Sequence, residues 1–475
     1  MYDVAIIGAG VIGGMTAREL TRFNIRVCLL EKESDVALGA SKANSGIIHG
    51  GYDPLPGTLK AKLNAEGVPL IYEAARELNV PYKNNGSMIV AFGKEEEPAI
   101  DMLYERGIKN GIKDMKIISG EEARRLEPEL SEKVSKVLLV PTAGIVCPYA
   151  LTEASIGNAM DNGAELLREF CVCSIDKKDV FTVTAKDGRQ VKAKYIVNCA
   201  GCFSDKISGM AGDKSFDITP KSGEYMLLDK NEGGTVSHTI FGVPTKDGKG
   251  ILVTPTADGN LLLGPTANET DDCENTKTTN AGLSYVEKYA LKSVPGINLR
   301  GVITSFCGVR SSEKNGDFII KESEKVKGFV NVAAIDSPGL TACVAVAKYV
   351  VDILKNAGMP TEENKNFNGK REDTHIIRKM SDSEKDEYIK KNPEYGRIIC
   401  RCENVSEGEI LDALRRNPKA VDIDGIKRRT RSGMGRCQGG FCVPYVMKLI
   451  ARENNMDLNE VTKKGGNSKM TVGKL

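Results

Sequence analysis

Histidine is scarce in this sequence: His49, His238 and His375 are the only three in 475 residues. Imidazole chemistry near neutral pH therefore has few places to reside. Long hydrophobic runs are missing as well. No stretch of 18 apolar residues occurs, which excludes a membrane-spanning helix. Asp3 follows Met1 and Tyr2 at once, with no basic leader before the first apolar run. No signal peptide is expected, and a cytoplasmic location follows. An excess of one charge is also lacking. The 66 Lys and Arg against 64 Asp and Glu give a net charge of +2. No global field draws the chain to nucleic acid or to a lipid surface, so neither partner is expected. There is no internal repeat and no low-complexity block.

What is present is a soluble globular composition, 41% hydrophobic and 27% charged. A chain of 475 residues is too long for one core, so two or three domains are expected. Thirteen cysteines in a reducing compartment are free thiols or metal ligands rather than disulfides. Most are scattered singly, and only the last four come in pairs.

The chain opens with a βαβ pattern: the strand YDVAII (2–7), a glycine turn, the helix VIGGMTARELTRF and the strand IRVCLLE. Gly8, Gly10 and Gly13 give G-x-G-x-x-G between the first strand and the helix. The first glycine permits the turn, the second admits a pyrophosphate to the backbone, and the third lets helix and strand pack closely. The phosphates then rest on free N–H groups at the helix start. Glu31 ends the second strand, where a carboxylate accepts hydrogen bonds from a ribose.

Two later features favour FAD over NAD. IVNCAGCFSD places Ala200 and Gly201 after a strand, at the switch point a dinucleotide crosses. DSPGLTA starts a late helix whose N-terminus, Gly339, Leu340 and Thr341, aims a positive dipole end at the pyrimidine edge of a reduced flavin. A second G-x-G-x-x-G is absent, so NAD(P)H is not expected as a direct partner.

Elsewhere the pattern is helix at 119–127, capped by Ser119 and Glu122, and at 151–168. A meander fills 171–199. From about 217 to 330 strands and turns dominate, with DGN as a hairpin turn before the strand GFVNVAAI. The late helix closes at Gly358. A polar connector covers 361–395. Ser381 with Glu384, and Ser406 with Glu409, cap two short helices. A loose tail ends the chain, in which TVGK is a candidate edge strand.

His49 sits among small residues in SGIIHGGY and is a candidate base for a hydroxyl proton, or a packed neighbour of the cofactor. His238 is a second candidate, and His375 is expected to be solvated. Arg310, in SFCGVR, can fork onto a carboxylate or phosphate, or pair with Glu313. Lys60 and Lys62 could attract an anion. Cys400 and Cys402 form C-x-C, and after a gap of 34 residues Cys437 and Cys442 form C-x4-C. Four thiolates hold either zinc or an iron–sulfur cluster, and spacing alone leaves both open. The basic run of Lys427, Arg428, Arg429 and Arg431 adds positive charge near such a centre, or forms a solvated face that docks an acidic partner.

The stretches GAGVIGG, EKESDVALGASKANSGIIHGGY, PGTLKAKL, VNCAGCFSD, PTADGNLLLGPT and GVRSSEKNGDF resemble the D-amino-acid-oxidase-like superfamily of flavoproteins. Within it the first 360 residues resemble glycerol-3-phosphate dehydrogenases and L-2-hydroxyglutarate dehydrogenases. IICRCENVSEGEI and KRRTRSGMGRCQGGFC resemble the bacterioferritin-associated-ferredoxin-type domain, also found at the C-terminus of the large subunit of anaerobic glycerol-3-phosphate dehydrogenase. The resemblance implies an α/β fold: a Rossmann-type FAD-binding domain (about 1–80, 150–215 and 328–358) interleaved with an antiparallel-sheet substrate domain (about 81–149 and 216–327). A small helical domain at 396–460 would bind a 2Fe-2S cluster on Cys400, Cys402, Cys437 and Cys442. The resemblance further implies that Ser41, Asn44 and Ser45 line the flavin loop, that His49 faces the flavin ring and that Arg310 faces a small anionic substrate. Relatives that bind a phosphate carry an arginine after the His-Gly pair, where this sequence has Asp53. Oxidation of glycerol 3-phosphate is the first expectation. Oxidation of a 2-hydroxy acid is second, of an amino acid or amine third, and an electron-transfer subunit with an idle pocket is the rival from another class. The implied partners are electron-accepting subunits, with a second flavoprotein among the candidates.

Overall fold

A computed structural model describes residues 1–244, 250–471 and 473 of the protein. The possible TVGK strand falls partly outside the described residues.

The strand Tyr2–Ile7 (β1) has a wholly apolar run, VAII, and is accordingly buried on both faces. It pairs in parallel with Gln190–Asn198 on one side and with Val27–Leu30 (β2) on the other. The meander Val172–Lys177, Phe181–Ala185 and Gln190–Asn198 extends this sheet, and Phe329–Ala333 joins it in parallel. Eight strands make up the sheet. Ile319–Glu322 is one of them, pairing with Phe329–Ala333. The chain thus returns to this sheet inside the stretch expected to belong wholly to the substrate part.

Four helices cover the sheet: Val11–Leu20 (α1), Leu59–Glu77, Pro148–Asp161 and the late helix Gly339–Asn356. Their apolar faces share a core with β1 and β2, in which Val4, Ile6, Leu20, Leu29, Val346 and Leu354 are fully enclosed. Burying each of these side chains stabilises the fold by roughly 1.5–3 kcal/mol. The third helix begins at Pro148, about one turn before the expected 151, and ends at Asp161, about two turns before the expected 168.

A second, nine-stranded sheet is assembled from separate parts of the chain. Ser87–Ala91 pairs with Lys136–Val140 and with Thr239–Gly242, while the long strands Thr219–Leu228 and Val302–Ser312 run antiparallel. The DGN turn does make a hairpin, between Leu252–Pro255 and Leu261–Gly264, with Gly259 at φ +90°.

The connector is not a free linker. Arg371, at 9% exposure, accepts at its carbonyl from Asn79 Nδ2 (2.5 Å) and donates its backbone N–H to the Glu77 carbonyl (2.9 Å). Arg18, almost wholly buried in α1, donates to the Gly369 carbonyl (2.9 Å) and to Glu77 (2.5 Å). This polypeptide is a strap bolted across the cofactor domain. Both capping boxes read from the sequence in this region, Ser381 with Glu384 and Ser406 with Glu409, form. Beyond them the helices Glu407–Arg415, Ile423–Thr430 and Val443–Asn454 enclose a core of their own around Ile410, Ile426 and Ile450. Among the described residues no helix is long and apolar enough to cross a membrane.

Candidate functional site: flavin cradle and thiol cluster

Gly8 takes φ +107°, and a Cβ there would stand 2.4 Å from the Cys199 carbonyl oxygen. A Cβ on Gly13 would stand 2.0 Å from the Gly8 carbonyl oxygen, so only glycine lets α1 start this close to β1. Gly10 ends the turn in extended backbone and caps α1 without a side chain. Ser41 Oγ accepts the Val11 N–H at 2.9 Å, which puts the Ser41 loop directly over the helix start. Glu31 accepts from the Ala9 and Glu33 N–H groups (2.8 and 3.0 Å). Burial nevertheless pushes its carboxyl up to about 7.

Asn44 is turned onto its own loop. It donates to the Ala40 and Ser41 carbonyls and accepts from the Gly46 N–H, so its amide shapes the loop. Ser45 follows, half-buried. Ala200 and Gly201 lie immediately past the end of the strand Gln190–Asn198, beside β1, and Gly201 takes φ +56° as a short helical turn begins.

The late helix begins at Gly339 and carries no acidic residue in its first turn. Among the described residues, the N–H groups of Leu340 and Thr341 have no protein acceptor, whereas the Gly339 N–H bonds the Asp336 carbonyl. The Thr341 hydroxyl ties the helix to the His49 strand, accepting the His49 N–H at 2.8 Å. Among the described residues the Ile12 and Gly13 N–H groups of α1 likewise have no protein acceptor, so the two helix starts suit an anionic dinucleotide.

His49 Nε2 lies 3.2 Å from Ser337 Oγ, and its ring sits 5.9 Å from that of Phe241. A small cavity beside it is lined by His49, Tyr52, Asp53, Ile89, Leu103 and Phe241 among others. The glycines after His49 are hemmed in by the protein itself. A Cβ on Gly50 would meet Val140 at 2.3 Å, and one on Gly51 would meet Ile112 at 2.3 Å. Ser312 and Lys60 converge on the neighbouring Asp336, at 3.0 and 2.6 Å. Lys60 is therefore neutralised, and Lys62 packs over the Tyr349 ring. Sequence reasoning passed over Asp336 and Ser337, whose only signal was the DSPG turn itself.

Arg310 is half-buried on the strand Val302–Ser312, two residues before Ser312. Its one side-chain hydrogen bond among the described residues is a long one, 3.4 Å, to the Thr266 carbonyl. Glu313 is occupied by its own turn, accepting from Asn315 at 2.6 and 2.9 Å, and does not pair with Arg310. Asp53 stands where an arginine was expected. Arg106, from the helix Glu97–Lys109, donates to its carbonyl at 2.7 Å. His238 Nδ1 lies against the Glu127 carboxylate, at 2.5 Å. His375 is exposed but stacks on Tyr388, with ring centroids 4.5 Å apart.

The four thiols of the C-terminal domain gather as two pairs. Cys400 contacts Cys442, and Cys402 contacts Cys437. Among the described residues no three ligand side chains meet at one point as a single ion requires. Two pairs suit a two-iron centre, in which each iron takes two thiolates. The contact with Cys442 lowers the Cys400 thiol to about 6, helped by N–H groups of Gly433 and Glu403. Cys437 receives N–H groups from Phe441, Gly439 and Gly440. The pairs differ in setting: Cys400 and Cys442 are buried, whereas Cys402 is exposed and Cys437 half-exposed.

The basic run does not form a solvated face. Arg428 and Arg429 both reach the buried Asp35, four residues past Glu31, and both approach Glu153. Arg431 pairs with Asp258 (2.9 Å) and Glu403 (2.8 Å) and donates to Asn260 (2.8 Å). These charges are neutralised and clamp the small domain onto the flavin domain. Tyr149 Oη also meets Met434 Sδ at 3.6 Å. Tyr149 packs against the same apolar cluster as Ile12 and Leu340, from the two open helix starts.

Fold and site together define a flavin-dependent oxidoreductase with an appended iron–sulfur domain. The chain belongs to the FAD dependent oxidoreductase family (DAO), which matches residues 3–353, and residues 398–452 match the BFD-like [2Fe-2S] binding domain. It is 45% identical over 475 residues to a glycerol 3-phosphate dehydrogenase of Caloramator mitchellensis, covering 100% of this chain and 98% of that protein. The dithionite-reduced L-alpha-glycerophosphate oxidase from Mycoplasma pneumoniae, with FAD bound, superposes with a TM-score of 0.74 at 32% identity. That match covers 78% of this chain and 98% of the oxidase. Human mitochondrial L-2-hydroxyglutarate dehydrogenase is 29% identical over 411 residues, 74% of this chain and 88% of that protein. The protein is an FAD-dependent oxidoreductase of the glycerol-3-phosphate dehydrogenase type, acting on a CH–OH substrate, and its cofactors are FAD and a 2Fe-2S cluster.

Proposed function

We propose that the chain oxidises glycerol 3-phosphate to dihydroxyacetone phosphate and passes the electrons out through its C-terminal domain to a protein acceptor. One observation carries this reading: the likeness to a protein named glycerol 3-phosphate dehydrogenase runs through both domains. The structure named as an oxidase is matched over nearly its whole length by only 78% of this chain. An appended electron-transfer domain suits a dehydrogenase that hands electrons on.

Bound FAD supplies a two-electron hydride acceptor and the 2Fe-2S centre a one-electron relay. Gly8, Gly10, Gly13, Ser41 and Glu31 would hold the pyrophosphate and ribose. Ser45, Ala200, Gly201, Leu340 and Thr341 would border the ring system, with Asn44 shaping the loop. His49 takes the hydroxyl proton, with Ser337 fixing its ring through Nε2. Arg310, free of any carboxylate among the described residues, binds the substrate anion. Cys400, Cys402, Cys437 and Cys442 ligate the cluster.

Asp53 favours a second reading, oxidation of a 2-hydroxy acid, because it places a carboxylate where phosphate-binding relatives carry an arginine. An anaerobic screen of polyol phosphates and 2-hydroxy acids separates the two. Bleaching of the flavin by glycerol 3-phosphate is expected. Bleaching by L-2-hydroxyglutarate alone would overturn the first reading.

A further inference from the structure

The thiol cluster has an outer side, and that side is not finished as ordinary surface. Phe441, between Cys437 and Cys442, is 77% exposed, the most exposed large hydrophobic residue among those described. Tyr445 is 47% exposed and Ile398 38% exposed. Phe441, Pro444 and Tyr445 all fall at the start of the helix Val443–Asn454, next to the ligand-bearing loop. Exposed aromatics at this density, beside a redox centre, mark a surface that is covered in use.

Basic side chains surround these apolar ones. Lys448 and Arg397 lie over the Tyr445 ring at 5.9 and 5.8 Å. Arg436, exposed, directly precedes Cys437 in the sequence. Arg401 is exposed between the two cysteines of the C-x-C pair. Arg397 and Arg436 are compensated by Glu407 and Asp229, at 3.0 and 3.3 Å. Arg401 and Lys448 have no ion-pair partner among the described residues. The arginines of the domain clamp are buried and neutralised, whereas these two charges face outward and are not.

We propose that the face formed by Phe441, Tyr445, Arg401 and Lys448 is the docking surface for a small acidic one-electron carrier protein. This rests on the reading that electrons leave through the cluster. Charge complementarity selects the occupant: uncompensated cations ring an apolar centre, so the partner presents carboxylates around an exposed redox edge. The buried pair Cys400 and Cys442 then faces the protein interior, and the exposed pair Cys402 and Cys437 faces the carrier.

The test uses the full-length holoprotein and two haem probes, the acidic soluble domain of cytochrome b5 and the basic cytochrome c. Binding is measured by NMR line broadening of the haem signals, so it does not depend on turnover. Cytochrome b5 is expected to bind at low salt and to be released as salt rises. Lys448→Glu and Arg401→Glu should each weaken it about tenfold at low salt. Phe441→Ala should weaken it without changing the salt dependence. The visible spectrum of each variant verifies an intact cluster. Preference for cytochrome c, or no effect of Lys448→Glu, would overturn the proposal. A dimer of the protein alone that Phe441→Ala disperses would also overturn it, with a second copy as the occupant. Because no substrate is present, failure of glycerol 3-phosphate to bleach the flavin is a separate result.

Discussion

Arg429 closes a two-pronged salt bridge on Asp35, Nη1 to Oδ2 at 2.7 Å and Nη2 to Oδ1 at 2.9 Å. Asp35 lies on the loop that follows Glu31, at the nucleotide end of the flavin cradle. Arg429 lies on a helix of the thiol-bearing domain. One planar contact therefore fixes the two redox domains to each other. Burial alone would raise the Asp35 carboxyl, but Arg429, Arg428 and Arg168 overcome it and hold the carboxyl well below the usual range.

Asp35→Ala leaves Arg428 and Arg429 buried without their shared partner. A loss of about 3–5 kcal/mol is expected, as for other broken buried ion pairs. It should appear as a lower unfolding temperature and as new protease cleavage in the 361–395 strap. Unchanged stability and unchanged cleavage would show that the clamp contributes nothing.

Arg310→Lys keeps the charge and removes the planar fork. Substrate binding should weaken by about 1.5–3 kcal/mol, the value of one charge-assisted hydrogen bond, with FAD content unchanged. Titration of flavin bleaching with substrate measures it. An unchanged half-saturation would make Arg310 structural.

His49→Gln should slow flavin reduction by roughly 10²–10⁴, the usual contribution of a general base. Ser337→Ala should produce a smaller loss and move the pH profile, because it frees the ring that Ser337 orients. Stopped-flow reduction across pH distinguishes a base from a packed neighbour.

Glu31 ties cofactor binding to pH. Its carboxyl is raised from 4.5 to about 7 by burial. A raised acid favours the folded state while protonated, so its contribution to apoprotein stability is full below about 4.5 and is lost as pH rises through about 7. Ribose hydroxyls donate to the ionised form, so FAD should bind more tightly as pH rises through the same window and release a proton. Calorimetry in buffers of different ionisation enthalpy reads that proton. Glu31→Gln should abolish it.

The parts legible in the sequence were those written in adjacent residues. G-x-G-x-x-G and the capping boxes each carry their chemistry within one turn or loop, whereas the thiols meet across their two motifs, Cys400 with Cys442 and Cys402 with Cys437. The parts that were not legible are pairings across the chain. Asp35 and Arg429 are 394 residues apart, and His49 and Ser337 are 288 apart. Neither pair leaves a periodicity or spacing to read. For the KRRTR run a solvated face and a charge near the cluster both stood open, and the partners that decide, Asp35, Glu153 and Asp258, come from the flavin domain far away in sequence. Nor does the sequence show what surrounds Gly50 and Gly51, against which Val140 and Ile112 press from elsewhere in the chain.

The central claim is that the two domains divide the work, substrate oxidation in one and electron exit through the other. Cys402→Ser tests it most directly, by comparing a single anaerobic turnover with steady-state turnover on a protein acceptor. The flavin should still bleach with glycerol 3-phosphate at the wild-type rate, because His49, Arg310 and the cradle are untouched, while reduction of the protein acceptor collapses. Normal turnover on that acceptor by a Cys402→Ser protein lacking the cluster spectrum would contradict the account.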